Sequence, residues 1–149
     1  MAERVTTGNL LKRIFKTKSL STYLKENEEH LHPEDFCSCL KELCRKKNLI
    51  AERVIEKGEI ERTYGHQLFN GTRRPSRDKV LQLAFGLEAT VEETQKMLRA
   101  AGKSALYPRL KRDAVILYCL KNRIPFLETQ DILESYGLTI IGGTGDEKQ

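Results

Sequence analysis

The side chains best suited to chemistry in this chain are cations in one short loop. Arg73, Arg74, Arg77 and Lys79 fall between Thr72 and Lys79, against the single acid Asp78. Guanidinium forks match phosphate oxygens, and the amide at a helix start, here at Ser76, offers a further anion contact. The chemistry this set suggests is non-covalent capture of a polyanion. Catalysis has no comparable support. There is no P-loop, no GxSxG and no HExxH, and no Ser or Cys is placed beside His30 or His32 by a recognisable motif. A small helical chain without a cofactor motif is a poor enzyme candidate, so neither activity nor cofactor is expected. Cys37, Cys39 and Cys44 lie near His30 and His32, but their spacing fits no common zinc site. Reduced thiols in the core are the expected state of the four cysteines.

The elements that must position the loop lie just before it, between Leu49 and Ser76. A short helical stretch, Ala51 to Lys57, meets a turn at Gly58-Glu59-Ile60. A second stretch, Arg62 to Phe69, follows and stops at Asn70-Gly71. Two short helices joined by a tight Gly-containing turn form a helix-turn-helix unit, whose second helix enters the DNA major groove.

From about Phe36 to Ala101 the chain resembles the phage-repressor, or Xre-like, helix-turn-helix family. The residues that carry the likeness are Leu49 opening the unit, Ile60 in the turn, Leu68 late in the second helix, the Asn70-Gly71 stop, and the Arg74-Pro75-Ser76 start of the next helix. The resemblance implies a bundle of five helices that reads an operator, usually as a dimer. Its register points Arg62, Thr63, Tyr64, His66 and Gln67 toward the groove. Of these, Gln can bond adenine bidentately and the Thr methyl can touch a thymine methyl. Arg73, Arg74, Ser76, Arg77 and Lys79 are the matching phosphate candidates.

The segment departs from the family at five positions. Ala51 stands where Gln is usual, Ile55 where a small residue is usual, and Glu59 where Gly is usual. Glu61 replaces a Ser or Thr cap, and Glu is a poor N-cap because its oxygen reaches the first amides badly. Gly65 replaces a β-branched core residue, at roughly 1 kcal/mol of helix propensity.

Around this unit the sequence reads as all-α. Residues 1–31 hold an arm and two short helices, Asn9 to Phe15 and Leu20 to Glu26, with Thr7 and Ser19 as caps. Residues 32–104 form the helix-turn-helix domain. His32-Pro33 opens its first helix, which runs to about Lys47 and buries Phe36, Leu40, Leu43 and Cys44 at helical spacing. Ser76 caps a helix through Phe85, and Thr90 to Glu93 is a capping box for a helix ending at Gly102. Residues 105–141 add a helical hairpin, Lys111 to Lys121 and Phe126 to Tyr136, and residues 142–149 form a Gly-rich tail expected to be disordered.

The added hairpin repeats the one before it. At an offset of 35 residues, Arg74, Arg77, Asp78, Val80, Glu93, Thr94, Gln95, Leu98 and Gly102 reappear as Arg109, Arg112, Asp113, Val115, Glu128, Thr129, Gln130, Leu133 and Gly137. That is nine identities in 29 positions, where chance gives roughly two. A duplicated hairpin cannot bury its apolar face alone, so it must stack on its neighbour. Tyr118, Leu127, Ile140 and Ile141 are the expected outer face and a candidate dimer surface.

The net charge is +5 over 149 residues, which favours a polyanion partner. No apolar run is long enough to span a bilayer, so a cytoplasmic protein is expected. The leading expectation is a sequence-specific, dimeric regulator on double-stranded DNA. The alternative is an interaction module that has kept the fold and lost the operator, with the N-terminal helices as the docking surface for a protein partner.

Overall fold

A computed structural model describes residues 5–28, 31 and 35–143. All regular secondary structure among them is helical: α1 Thr7–Lys16, α2 Leu20–Glu26, α3 Phe36–Lys47, α4 Ala51–Lys57, α5 Arg62–Asn70, α6 Arg77–Gly86, α7 Val91–Ala100, α8 Lys111–Lys121 and α9 Phe126–Ser135. No helix among the described residues is long and apolar enough to cross a membrane. The chain divides between residues 33 and 34 into two compact units.

The first unit holds α1 and α2. The cap of α1 is Thr6, not Thr7: its hydroxyl accepts from the Asn9 amide at 3.1 Å. Ser19 caps α2 by accepting from the Thr22 amide. Local bonds carry this unit, because its apolar burial is small. Tyr23 is buried, while Phe15 remains 77% exposed and Leu20 68% exposed. Asn27 is buried, accepting from Arg13 at 2.6 Å and donating to the Tyr23 carbonyl at 2.8 Å. His30 and His32 lie outside the described residues.

The second unit holds α3 to α9. Its first helix starts at Phe36 with Asp35 as cap, later than a start at His32-Pro33; residues 32–34 lie outside the description. Phe36, Leu40, Leu43 and Cys44 are its buried stripe. The core is continued by Val54, Leu68, Val80, Leu81, Leu83, Met97, Leu98, Ile116 and Leu133, none of which is more than 1% exposed. Each such side chain contributes about 1.5–3 kcal/mol of burial. All four cysteines are free thiols; Cys44 and Cys119 are buried and Cys37 and Cys39 half-buried. α4 presses on α6 so closely that a Cβ on Gly86 would sit 2.1 Å from the Val54 carbonyl oxygen. Only glycine fits there.

α6–α7 and α8–α9 form a matched pair. Arg77 donates two bonds to Asp113, at 3.1 and 2.9 Å, and others to the carbonyls of Ser104 and Ala105. At the same offset of 35, Arg112 donates to Asp78, at 3.2 and 3.0 Å, and to the carbonyls of Thr139 and Ile140. Gln95 brackets Leu106 with two bonds, and Gln130 brackets Ile141 likewise. Thr94 and Thr129 each donate to a carbonyl four residues back. Left-handed residues recur too, at Glu88 and Arg123 and at Gly102 and Gly137. Each arginine reaches the aspartate of the other hairpin. The relation is therefore a closed pseudo-two-fold pair, not an open-ended stack.

This network corrects two expectations. Ile141 is 2% exposed, held by Gln130, and does not belong to an outer face; Tyr118, Leu127 and Ile140 do remain exposed. The last segment is pinned at its start, where the Gly142 amide donates to Asp78 at 2.9 Å. Residues 144–149 lie outside the description.

Candidate nucleic-acid interface

The turn between α4 and α5 fixes the angle at which α5 is presented. Glu59 takes a left-handed conformation, φ 55°, that glycine usually fills. Buried Gln82 of α6 holds this turn from beneath, its amide donating to the carbonyls of Gly58 at 3.0 Å and Glu59 at 3.3 Å. Tertiary hydrogen bonds thus oppose the strain of a non-glycine residue at the left-handed position.

Glu61 is a competent cap, contrary to the sequence expectation. Its two carboxylate oxygens accept separately from the amides of Thr63 at 2.9 Å and Tyr64 at 2.8 Å. Those bonds, the Tyr64 amide foremost, hold its carboxyl below the ordinary glutamate range. The negative charge also sits at the positive end of the helix dipole. Gly71, at φ 84°, ends the helix.

The departures at Ile55 and Gly65 turn out to be one contact. A Cβ on Gly65 would lie 2.6, 2.7 and 2.9 Å from three side-chain carbons of Ile55. The large residue in α4 fills the space that glycine leaves in α5. Leu68 and Phe69 anchor the inner side of α5 in the core.

The outer side of α5 carries the base-contact candidates. Arg62 and Thr63 are exposed, and Tyr64, His66 and Gln67 are half-buried. Three are already engaged, Gln67 by Arg73 and the other two by Glu52. Arg62 donates to one oxygen of Glu52 at 2.7 Å, and the His66 ring nitrogen meets the other at 2.8 Å. The His66 bond leads the causes that draw the Glu52 carboxyl downward. Sequence reading missed Glu52, because it is 10 and 14 residues away from partners it meets only through the α4–α5 angle.

Beyond the C-terminal end of α5 the charges are positive. Arg73 donates to the Gln67 side-chain oxygen at 2.8 Å, and its guanidinium lies 4.8 Å from the Tyr64 ring centroid. The Lys79 ammonium is 5.6 Å from the same ring and donates to Gln82 at 2.8 Å. Tyr64 thus serves as a platform for two cations, each contact being worth about 0.5–1 kcal/mol at an exposed site. Arg74 is exposed, with no hydrogen-bond or ion-pair partner among the described residues. Ser76 is buried and its hydroxyl accepts from the Lys79 amide, capping α6.

Arg77 does not belong to this surface. Its side chain is 18% exposed and spent on Asp113 and two carbonyls, so a phosphate would have to displace a paired aspartate that is itself buried. The loop offers Arg73, Arg74 and Lys79, not four cations.

No protein-family model, curated protein or solved structure matches this chain. The surface must therefore be read from its own geometry. Carboxylates of Glu52 and Glu61 stand at the N-terminal end of α5, Arg73 and Arg74 follow the helix in the chain, and the Arg73 guanidinium and Lys79 ammonium gather over the Tyr64 ring, beside an outer side that carries Thr63, His66 and Gln67. Such a face can engage phosphate oxygens through its cations and base edges through its uncharged side chains. Arg62 can join it only by leaving Glu52.

Proposed function

We propose that the second unit binds duplex DNA in a sequence-dependent way through α5 and the loop after it, as a transcriptional regulator of the phage-repressor, Xre-like type. The observation that carries this reading is the gathering of Arg73 and Lys79 over the Tyr64 ring of α5, with exposed Arg74 just after the helix, beside an outer side that bears Thr63 and Gln67. The order α3 to α7, with the tight α4–α5 turn, supports a repressor-like five-helix arrangement. A single short helix covers few base pairs, so the reading includes a symmetric dimer with recognition helices about 34–36 Å apart. Tyr118, Leu127 and Ile140 are exposed apolar candidates for its interface.

The test is selection of bound duplexes from a random pool, followed by affinity against salt. An enriched inverted repeat is expected, and Arg74→Ala should flatten the salt slope by about one unit. A pool without enrichment overturns the reading.

A second reading has one observation in its favour. Glu52 and Glu61 place two carboxylates at the end of α5 that would approach the duplex. In this reading α5 docks on a protein and the operator is lost. Glu52→Gln separates the two: it should raise duplex affinity if Arg62 then turns to DNA, and leave it negligible if the surface never met DNA.

A further inference from the structure

We infer that the cavity between the two repeated hairpins is a binding site for a small molecule with an apolar body and a carboxylate. The cavity measures about 350 Å³. That lies within the usual range of small-ligand pockets, about 300–1,000 Å³. Residues at the 35-residue offset meet in it: Phe85, Glu88 and Ala89 from the first hairpin, and their counterparts Leu120, Arg123 and Ile124 from the second. Phe126 adds a second ring, its centroid 5.8 Å from that of Phe85.

Its walls and its mouth differ in chemistry. Phe85, Leu120 and Phe126 are buried, and with Ile124 they give the walls an apolar character suited to an aromatic or aliphatic body. The mouth is charged. The Lys57 ammonium stands 3.6 Å from Glu88, so those two charges offset one another. The counterpart of Glu88 is Arg123, whose guanidinium has no hydrogen-bond or ion-pair partner among the described residues. The duplication has thus placed opposite charges at equivalent left-handed corners, and one of them is left to meet an anion. A planar guanidinium beside an apolar cavity matches a carboxylate bidentately. Nothing in this site depends on α5, so it stands apart from the DNA reading.

The experiment titrates the full chain with octanoate and with 4-phenylbutyrate, against the corresponding alcohols, followed by amide NMR shifts and thermal melting. The acids should shift Ala89, Leu120, Ile124 and Phe126, raise the melting temperature, and bind about tenfold more tightly than the alcohols, the worth of one charge-assisted contact. Arg123→Gly removes the guanidinium at a position whose φ of 54° suits glycine, so the fold should survive. It should bring the acids down to the affinity of the alcohols, while Arg123→Lys keeps part of the difference. No shift at these residues at millimolar ligand overturns the inference. So do equal affinities of acid and alcohol in the unmodified chain, and so does unchanged acid affinity in Arg123→Gly. Because DNA is absent from the assay, either reading can fail without the other.

Discussion

Gly65→Ala should destabilise the protein, although alanine is the better helix former. Gly65 lies in the interior of α5, where alanine is favoured over glycine by about 0.8–1.0 kcal/mol. The added methyl, however, would lie 2.6 Å from Cγ2, 2.7 Å from Cγ1 and 2.9 Å from Cδ1 of Ile55. Carbon atoms pack best at about 3.5–4.0 Å, so all three contacts are too short. Ile55 is 3% exposed and cannot swing away into solvent. Overpacking of this kind costs about 1–3 kcal/mol, which leaves a net loss of about 1 kcal/mol. Ile55→Ala removes all three clashing carbons and should itself cost about 2–5 kcal/mol. In that background Gly65→Ala regains its helix propensity and partly fills the hole, so its sign should reverse to a gain of about 1 kcal/mol. Urea unfolding of the four proteins, with slopes compared to confirm unchanged surface exposure, measures the cycle. If Gly65→Ala has the same effect in both backgrounds, the α4–α5 contact does not set the position of α5.

Three further outcomes follow from the same geometry. Asp113→Ala leaves half-buried Arg77 without its carboxylate and should cost about 3 kcal/mol, the low end for a buried pair; Asp78→Ala should cost the same within about 1 kcal/mol, and a clear asymmetry in urea unfolding would refute the pseudo-two-fold equivalence. The Glu61 carboxyl is lowered in the folded chain, so its contribution is present above the unfolded glutamate value, about 4.3, and is lost as pH falls through the folded one; Glu61→Gln should flatten the acid limb of stability against pH, and superimposable limbs would argue against the cap. Removing Leu110 to Gln149 uncovers Phe85 and strips Asp78 and Arg77 of their partners; cooperative melting should disappear, and a truncated chain that melts as before would make the second hairpin an appendage.

How far the fold was legible depended on whether the deciding interaction was local. α4 and α8 fall where apolar spacing put them, and the Thr90–Glu93 box caps α7, because period and cap are set within a few residues. Glu61 was misjudged because a cap rule scores one oxygen reaching one amide, whereas this carboxylate spreads over two. Ile55 and Gly65 read as two separate defects because a single-sequence pattern weighs positions one at a time; together they are a volume exchange across two helices. Arg77 is the most instructive error. Among neighbouring cations it looked like a phosphate ligand, yet the repeat already held the contrary signal. Arg-Asp recurs at 77–78 and 112–113, and a cation beside an acid, each duplicated, is what a reciprocal pair of ion bridges across a two-fold requires. Two arginines and two aspartates thereby cancel inside the fold, which leaves the net charge at +5 but takes two arginines out of a partner's reach. The cations of the helix-turn-helix surface are Arg73, Arg74 and Lys79, and the same surface carries Glu52 and Glu61. On this surface recognition must depend on how a partner places its own charges among those cations and carboxylates, more than on the total charge it carries.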